Sequence, residues 1–261
     1  MKKSLPLLSL LSLGLIFGGP IDSINKEALA ASHGKNVNWN LSTWGKRRAF
    51  TEGIEAVSKY VADKSGGHFT IKINYGGTLS KPRENLDGIS LGAFEAATFC
   101  ASYHADKNKA VTVLELPFLP ITNGDVQKAA DLAVYSHPAT IKEMKKWNAK
   151  LLMSAALPQY EFMGRGKEPR TIADFKGMRV RALGGIGKAM KVIGAVPTTV
   201  TAPETYRAIE TGTVDAAAFA FYSHFSYKIN EVSKWRTTNL SPGSVNLSLI
   251  HISEPTRPQK I

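Results

Sequence analysis

Arg181 is the side chain that offers this sequence its most useful chemistry, and that chemistry is binding. A guanidinium presents a planar fork of donors that fits a carboxylate bidentately, and it stays charged at any relevant pH. The same residue could instead serve a structural ion pair or lie on the surface, where arginine is common. Catalytic patterns are weaker. Gly184-Gly185-Ile186-Gly187-Lys188 hints at a phosphate loop, but Ala182 replaces its first glycine and Ala189 its Ser or Thr. There is no Gly-x-Ser-x-Gly elbow. Without a nucleophile paired to a base, an enzyme is the weaker reading. His33, His68, His104, His137, His224 and His251 are scattered, with no helix-borne metal spacing. The single Cys100 permits neither an internal disulfide nor a clustered zinc site. No metal and no cofactor are therefore expected.

The elements that must position Arg181 come in two similar sets. Val37 to Thr43 alternates as a strand does and ends in Trp44. Phe50, Ile54, Val57 and Val61 recur at helical spacing, and Lys64-Ser65-Gly66-Gly67 stops that helix. Phe69 to Tyr75 alternates strictly, Gly76-Gly77 turns, Arg83 to Leu91 predicts a short helix, and Phe94 to Cys100 a strand. Leu116-Pro117-Phe118 is a bend. Asp125 to Trp147 reads as one long helix that Pro138 should kink or split, and Lys150 to Ala155 as a strand.

The second set begins near Pro158. Tyr160 to Gly164 could be a strand, and Thr171-Ile172-Ala173-Asp174 resembles a helix-start box. Met178 to Ala182 is a strand, Gly184 to Ile193 a helix, and Val196 to Val200 a strand. Thr201-Ala202-Pro203-Glu204 is a capping box that opens a helix running to Thr211. Gly212 ends it, and Val214 to Phe219 is an Ala-rich strand. Two β-α-β-α-β units imply two α/β lobes with a cleft between them, and ligands bind beyond the carboxyl ends of such strands. Arg181 stands at that end of its strand.

The chain has 261 residues, 43% hydrophobic and 21% charged, which suits one large domain or two small lobes. Its net charge is +12, with Lys and Arg spread along the chain rather than gathered in a nucleic-acid stripe. No nucleic-acid partner is expected. A positive field that favours small anions fits, and so does a solubilising surface. Lys2 and Lys3, the apolar run Leu5 to Gly19, and Ala28-Leu29-Ala30 predict a signal peptide over 1–31, hence a periplasmic location. No Cys lies near the cleavage point, so a lipid anchor is not expected.

From about Val37 to Asn246 the chain resembles the solute-binding proteins of TRAP transporters, the tripartite ATP-independent periplasmic (DctP-type) systems. The densest match is Ile172-Ala173-Asp174-Phe175-Lys176-Gly177-Met178-Arg179-Val180-Arg181, similar to the family's "aDlKGlkiR". Gly194-Ala195-Val196-Pro197 follows, then Glu204, Tyr206, Ala208, Gly212 and Val214-Asp215-Ala216. Upstream, Ser65-Gly66-Gly67, Gly77-Thr78-Leu79, Gly92 and Leu116-Pro117-Phe118 also match. The resemblance implies an α/β, two-lobed periplasmic binding protein fold of class II type, with lobes over 32–157 and 158–247. It implies capture of a small organic acid, a mono- or dicarboxylate, for TRAP membrane permease subunits. A binding protein for an ABC importer, a sensor or an exported α/β enzyme are the rival readings.

The resemblance also implies a site. The family's carboxylate-binding Arg falls on Arg181, and its cleft is lined at Trp44, whose aromatic face would hold the apolar part of an acid. Cys100 stands where the family contacts ligand, though a buried small hydrophobe is an equal reading. Tyr103 is a second candidate on that loop. A ligand-contacting residue falls near Phe219, where an aromatic suggests a ligand with an apolar body, and Phe221 and Tyr222 follow it. Core packing is the alternative for these rings. Sialic-acid-binding members carry a second Arg in the segment matching Gln159-Tyr160-Glu161-Phe162. Glu161 there has the opposite sign, which argues against sialic acid; it could accept a ligand hydroxyl or help hold a cation.

Leu249-Ile250-His251-Ile252-Ser253-Glu254-Pro255-Thr256-Arg257-Pro258 resembles a translated sequencing-adapter read-through. This implies a non-native tail over 248–261, a fold incomplete at its C-terminus, and a missing return of the chain to the first lobe.

Overall fold

The computed structural model describes residues 36–252 except 122 and 156. The expected signal peptide and the stretch 253–261 lie outside the described residues. Two five-stranded sheets organise the rest.

The first sheet holds β1 (Val37–Ser42), β2 (Phe69–Asn74), β3 (Ala96–Cys100), β4 (Ala149–Ser154) and β10 (Leu247–Ile252), in the order β2-β1-β3-β10-β4. β1 runs parallel to β2 and β3, pairing Leu41 with Ile73 and with Ala96. The alternation of Phe69-Thr70-Ile71-Lys72-Ile73 fits a strand at the sheet edge, whereas Ala96 to Cys100 is buried throughout as a central strand should be. Helices α1 (Glu52–Lys64) and α2 (Asn85–Leu91) make the crossovers. Gly92 ends α2 at φ 71°, a left-handed cap that glycine takes without steric cost.

The second sheet holds β5 (Tyr160–Gly164), β6 (Arg179–Arg181), β7 (Val196–Thr198), β8 (Ala216–Ala220) and β9 (Trp235–Arg236), ordered β7-β6-β8-β5-β9. β6 is parallel to β7 and β8, and β5 is antiparallel to β8 and β9. Crossover helices are α5 (Gly184–Val192) and α6 (Thr205–Glu210). Both predicted boxes form, Thr171 with Asp174 and Thr201 with Glu204, and each opens a 3-10 turn. The second turn leads directly into α6.

The long helix expected over 125–147 is split into α3 (Gly124–Ser136) and α4 (Pro138–Lys145). His137 is extended at φ −66° and ψ 135°, as the residue before a proline prefers, and Pro138 then occupies the first turn of α4.

The start of the expected non-native tail takes up a place in the first sheet. Residues 247–252 form β10, antiparallel to both β3 and β4, with Leu249 and Ile250 fully buried. Leu247-Ser248-Leu249-Ile250-His251-Ile252 is rich in β-branched and apolar residues and fits the slot between those strands. The sequence reading also passed over β9, the helix α7 (Phe221–Ser226) and the 3-10 turn Val111–Glu115.

One buried cluster runs between the sheets, including Leu41 and Leu249 from the first and Phe162 and Val180 from the second. Close contact across this seam depends on Gly185: a Cβ there would lie 1.8 Å from the carbonyl oxygen of Glu115. The glycine cluster that hinted at a phosphate loop thus serves the approach of α5 to the first half of the chain.

Candidate functional site

β6 carries two arginines with different fates. Arg179, at its exposed start, forms an ion pair with Asp215 in which Nε and Nη2 each donate, at 3.0 and 2.6 Å. Arg181, at its end, is 1% exposed and is the largest fully buried side chain among the described residues. Its Nε donates to the Val200 carbonyl at 3.0 Å and Nη1 to the Ala218 carbonyl at 2.8 Å. Nη2 donates to the Tyr103 hydroxyl at 3.2 Å, and the Phe219 ring lies 4.1 Å beneath the guanidinium carbon. None of the ion pairs among the described residues involves Arg181. A guanidinium has five N–H donors, so three bonds leave one N–H on each terminal nitrogen. That is the complement a carboxylate needs, in a place where an uncompensated charge is costly.

Arg181 faces a small cavity of about 30 Å³ at the seam. Trp44, Phe50, Cys100, Tyr103 and Leu247 line it from the side of the first sheet, and Tyr160, Arg181, Leu183, Phe219 and Tyr227 from the side of the second. The rings are packed: Trp44 meets Tyr103 edge-on at 5.7 Å, and Phe219 stacks on Tyr227 at 5.6 Å. Apolar walls with a few aimed polar groups are the usual make-up of a site for a small organic molecule.

Of the residues expected from the sequence, Arg181, Trp44, Phe219, Tyr160, Cys100 and Tyr103 meet at this cavity. Burial pushes the Cys100 thiol and the Tyr103 and Tyr160 phenols well above their usual values, so all three stay protonated. A thiol so held is a poor nucleophile. Glu161 and Tyr222 are not part of the wall. Neighbours in a strand point to opposite faces, and Tyr160 takes the cavity side. The Glu161 carboxylate instead accepts from the Thr237 hydroxyl at 2.5 Å and the Ser241 amide at 3.1 Å. Tyr222 lies in α7, its phenol pushed up to about 12 by burial, with Arg48 nearby pulling the other way.

Arg48 is the charged lining residue that sequence reasoning missed; Phe50, Leu183, Tyr227 and Leu247 were also not anticipated. It belongs to the run Lys46-Arg47-Arg48, whose composition gives no sign of which side chain turns inward. Arg47 pairs with Glu55 at 2.6 Å on the surface, while Arg48 lies across Phe50 and Tyr227, its guanidinium carbon 4.1 and 5.1 Å from their rings.

A larger hollow of about 390 Å³ shares Trp44 with this cavity and is bordered by Lys81, Arg83 and Thr201. Arg83 spans the seam beside it, donating to the Thr199 carbonyl and, at 3.1 Å, to its hydroxyl.

The family profile described as Bacterial extracellular solute-binding protein, family 7 (DctP), matches residues 42–251. The chain is 28% identical over 185 residues to a monocarboxylate 2-oxoacid-binding periplasmic protein of Nostoc sp., covering 70% of this chain and 50% of that protein. It is 26% identical over 198 residues to the C4-dicarboxylate-binding periplasmic protein DctP of Rhodobacter capsulatus, covering 71% and 54%. The chain spans about half the length of these curated relatives. A marine metagenome TRAP solute-binding protein specific for aromatic acid ligands, solved with 3-hydroxybenzoate, superposes with a TM-score of 0.75 at 22% identity. That match covers 84% of this chain and 69% of the other, and it shows the same two-lobed α/β fold. Since the profile takes in most of the described residues, including β6 and its Arg181, the chain belongs to the bacterial extracellular solute-binding proteins of family 7.

Proposed function

We propose that this chain is the solute-capturing part of a periplasmic TRAP receptor, which takes a small organic acid by its carboxylate and hands it to membrane permease subunits. The observation that carries the reading is Arg181: a fully buried guanidinium, unpaired by any carboxylate among the described residues, at the wall of a cavity between two sheets. The names of the two curated relatives, a 2-oxoacid binder and a C4-dicarboxylate binder, point to the same ligand chemistry. A cavity of about 30 Å³ has room for a water or two, so an acid enters only when the walls part. The lobes, 32–157 and 158–247, then close on it, because only the closed form lets one ligand touch both. No bond in the ligand is broken. The wall carries no histidine, and its one thiol is held protonated.

The test is a thermal-shift screen with pyruvate, succinate and 3-hydroxybenzoate, in the wild type and in Arg181→Ala. A ligand at a hundred times its dissociation constant stabilises the fold by about 2.7 kcal/mol. At least one acid should raise the melting temperature of the wild type and none that of the variant. A shift that survives in Arg181→Ala overturns the reading.

A further inference from the structure

Glu115 is a buried acid that carboxylate capture leaves unused, and it stands where the two sheets are joined. Among the described residues the chain passes between the sheets twice, from β4 to β5 and from β9 to β10. The two passages are bonded to one another: the Ala155 amide donates to the Leu247 carbonyl at 2.8 Å, and the Tyr160 amide to the Gly243 carbonyl at 2.9 Å. Glu115 lies against them. One carboxylate oxygen accepts the Asn246 amide, in the second passage, at 3.0 Å and the Ser102 amide, in the turn after β3, at 3.3 Å. The other accepts the Ser102 hydroxyl. The start of α5 closes the remaining side, where a Cβ on Gly184 would collide with Glu115 Oε2 and the Ser102 hydroxyl. Ala182 and Leu183 alone separate that glycine from Arg181.

Glu115 takes part in no ion pair among the described residues. Burial pushes it up to about 7, against the pull of the Ser102 and Asn246 donors and of the Lys188 charge on α5. The other titratable groups on the elements packed about it are Cys100, Tyr103 and Tyr135, all kept protonated by burial, and His104, brought down to about 4. Asp131 of α3 reaches it through Asn246, whose side-chain amide donates to Asp131 at 3.3 Å. When the lobes part, α5 lifts away and water reaches the Glu115 carboxylate, which then holds its proton less tightly. Protonation and closure therefore favour each other.

We propose that Glu115 is a positioning residue for acid capture, a hinge group whose protonated form keeps α5 against the first sheet and so tightens the closed cleft on its ligand. The inference rests on the carboxylate-capture reading and adds its regulation: affinity is greatest at acidic pH and falls as Glu115 ionises, while Arg181 stays charged throughout.

The test is calorimetric titration with pyruvate, succinate and 3-hydroxybenzoate from pH 6 to 8. With Glu115 at about 7 when closed and at the usual 4.5 when open, the dissociation constant of an acid that binds should rise about tenfold across that range. Binding at pH 7, followed in two buffers of different ionisation enthalpy, should take up about half a proton more in the wild type than in Glu115→Gln. Glu115→Gln keeps an acceptor for both amides and stays neutral, so its affinity should vary less than about twofold and match the wild type at pH 6. The same acid is used in both proteins, so its own ionisation cancels. Ser102→Ala removes a donor that favours the ionised form and should move the fall in affinity to higher pH, which a merely structural role would not do. Asp131→Asn should leave the profile in place. A wild-type affinity independent of pH, a profile that survives in Glu115→Gln, or one that vanishes in Asp131→Asn each overturns the proposal and leaves the Arg181 reading standing. Failure of the wild type to bind any of the acids at any pH overturns both. If Glu115→Gln does not fold, as judged by circular dichroism, the wild-type profile and its displacement in Ser102→Ala decide.

Discussion

The Tyr103 hydroxyl and the Arg181 guanidinium meet at 3.2 Å across the seam between the two sheets. The same hydroxyl accepts the Ala202 amide at 2.8 Å, so one phenol from the turn after β3 ties down both the end of β6 and the start of the next capping box. Tyr103→Phe leaves the buried Ala202 amide without its acceptor. Stability should fall by about 1–3 kcal/mol in denaturant titration, and acid affinity should weaken because Arg181 loses one of the bonds that orient it.

A buried, unpaired charge is kept for function at a cost to the fold. Arg181→Met replaces it with an apolar chain of similar reach. We expect the protein without added acid to be as stable as the wild type or more stable, by up to about 4 kcal/mol, while all acid-induced stabilisation disappears. A large loss of stability in this variant would mean that the carbonyls of Val200 and Ala218 need the guanidinium more than the site does.

Glu115 makes stability depend on pH in an unusual direction. Its carboxylate is 1% exposed and accepts from the Ser102 and Asn246 amides, yet burial pushes it up to about 7. The folded protein holds this proton more tightly than the unfolded chain does. The contribution is therefore complete below about pH 4.5 and is lost as pH rises through about 7. Glu115→Gln should gain stability relative to the wild type as pH climbs through that window. His104 and His224, both brought down to about 4 by burial, act in the opposite sense: their contribution is present above about 6.5 and is lost as pH falls. In Glu115→Gln their acid limb should be seen without opposition, in melts taken from pH 4 to 8.

Arg83 crosses from the first half of the chain to Thr199 at the rim, and it is exposed. Arg83→Ala should change stability by less than about 1 kcal/mol. It should raise the dissociation rate of a bound acid a few-fold, because one bond that holds the rim closed is gone. Stopped-flow displacement measures it.

β10 is a central strand, and Ile250 within it is fully buried. Ile250→Ala should cost about 2–5 kcal/mol. An unaffected melting temperature would show that residues 247–252 do not pack between β3 and β4.

Much of the scaffold could be read from local patterns. The alternation of Phe69 to Asn74, the boxes at Thr171 and Thr201, and the split at Pro138 depend on near neighbours in the chain, and all of them formed. Element ends moved by a residue or two, as fraying and bulges allow. β10 was not read as a strand, because its partners lie about a hundred or more residues away in the chain.

The sequence by itself determined the two α/β units and picked out Arg181, since strand and helix periods are local and the motif around Arg181 is dense. It could not choose between Arg179 and Arg181 as the structural ion pair; that waited for Asp215 to arrive from the bend before β8. Only the tertiary structure turned Arg48 inward, sent Glu161 away from the cavity toward Thr237, and set Tyr103 against Arg181. Which face a side chain takes at the end of a strand or in a turn is decided by what packs against it: for Arg48 and Tyr103 those neighbours include Tyr227 and Arg181 from across the seam, and for Glu161 they are Thr237 and Ser241 from its own side.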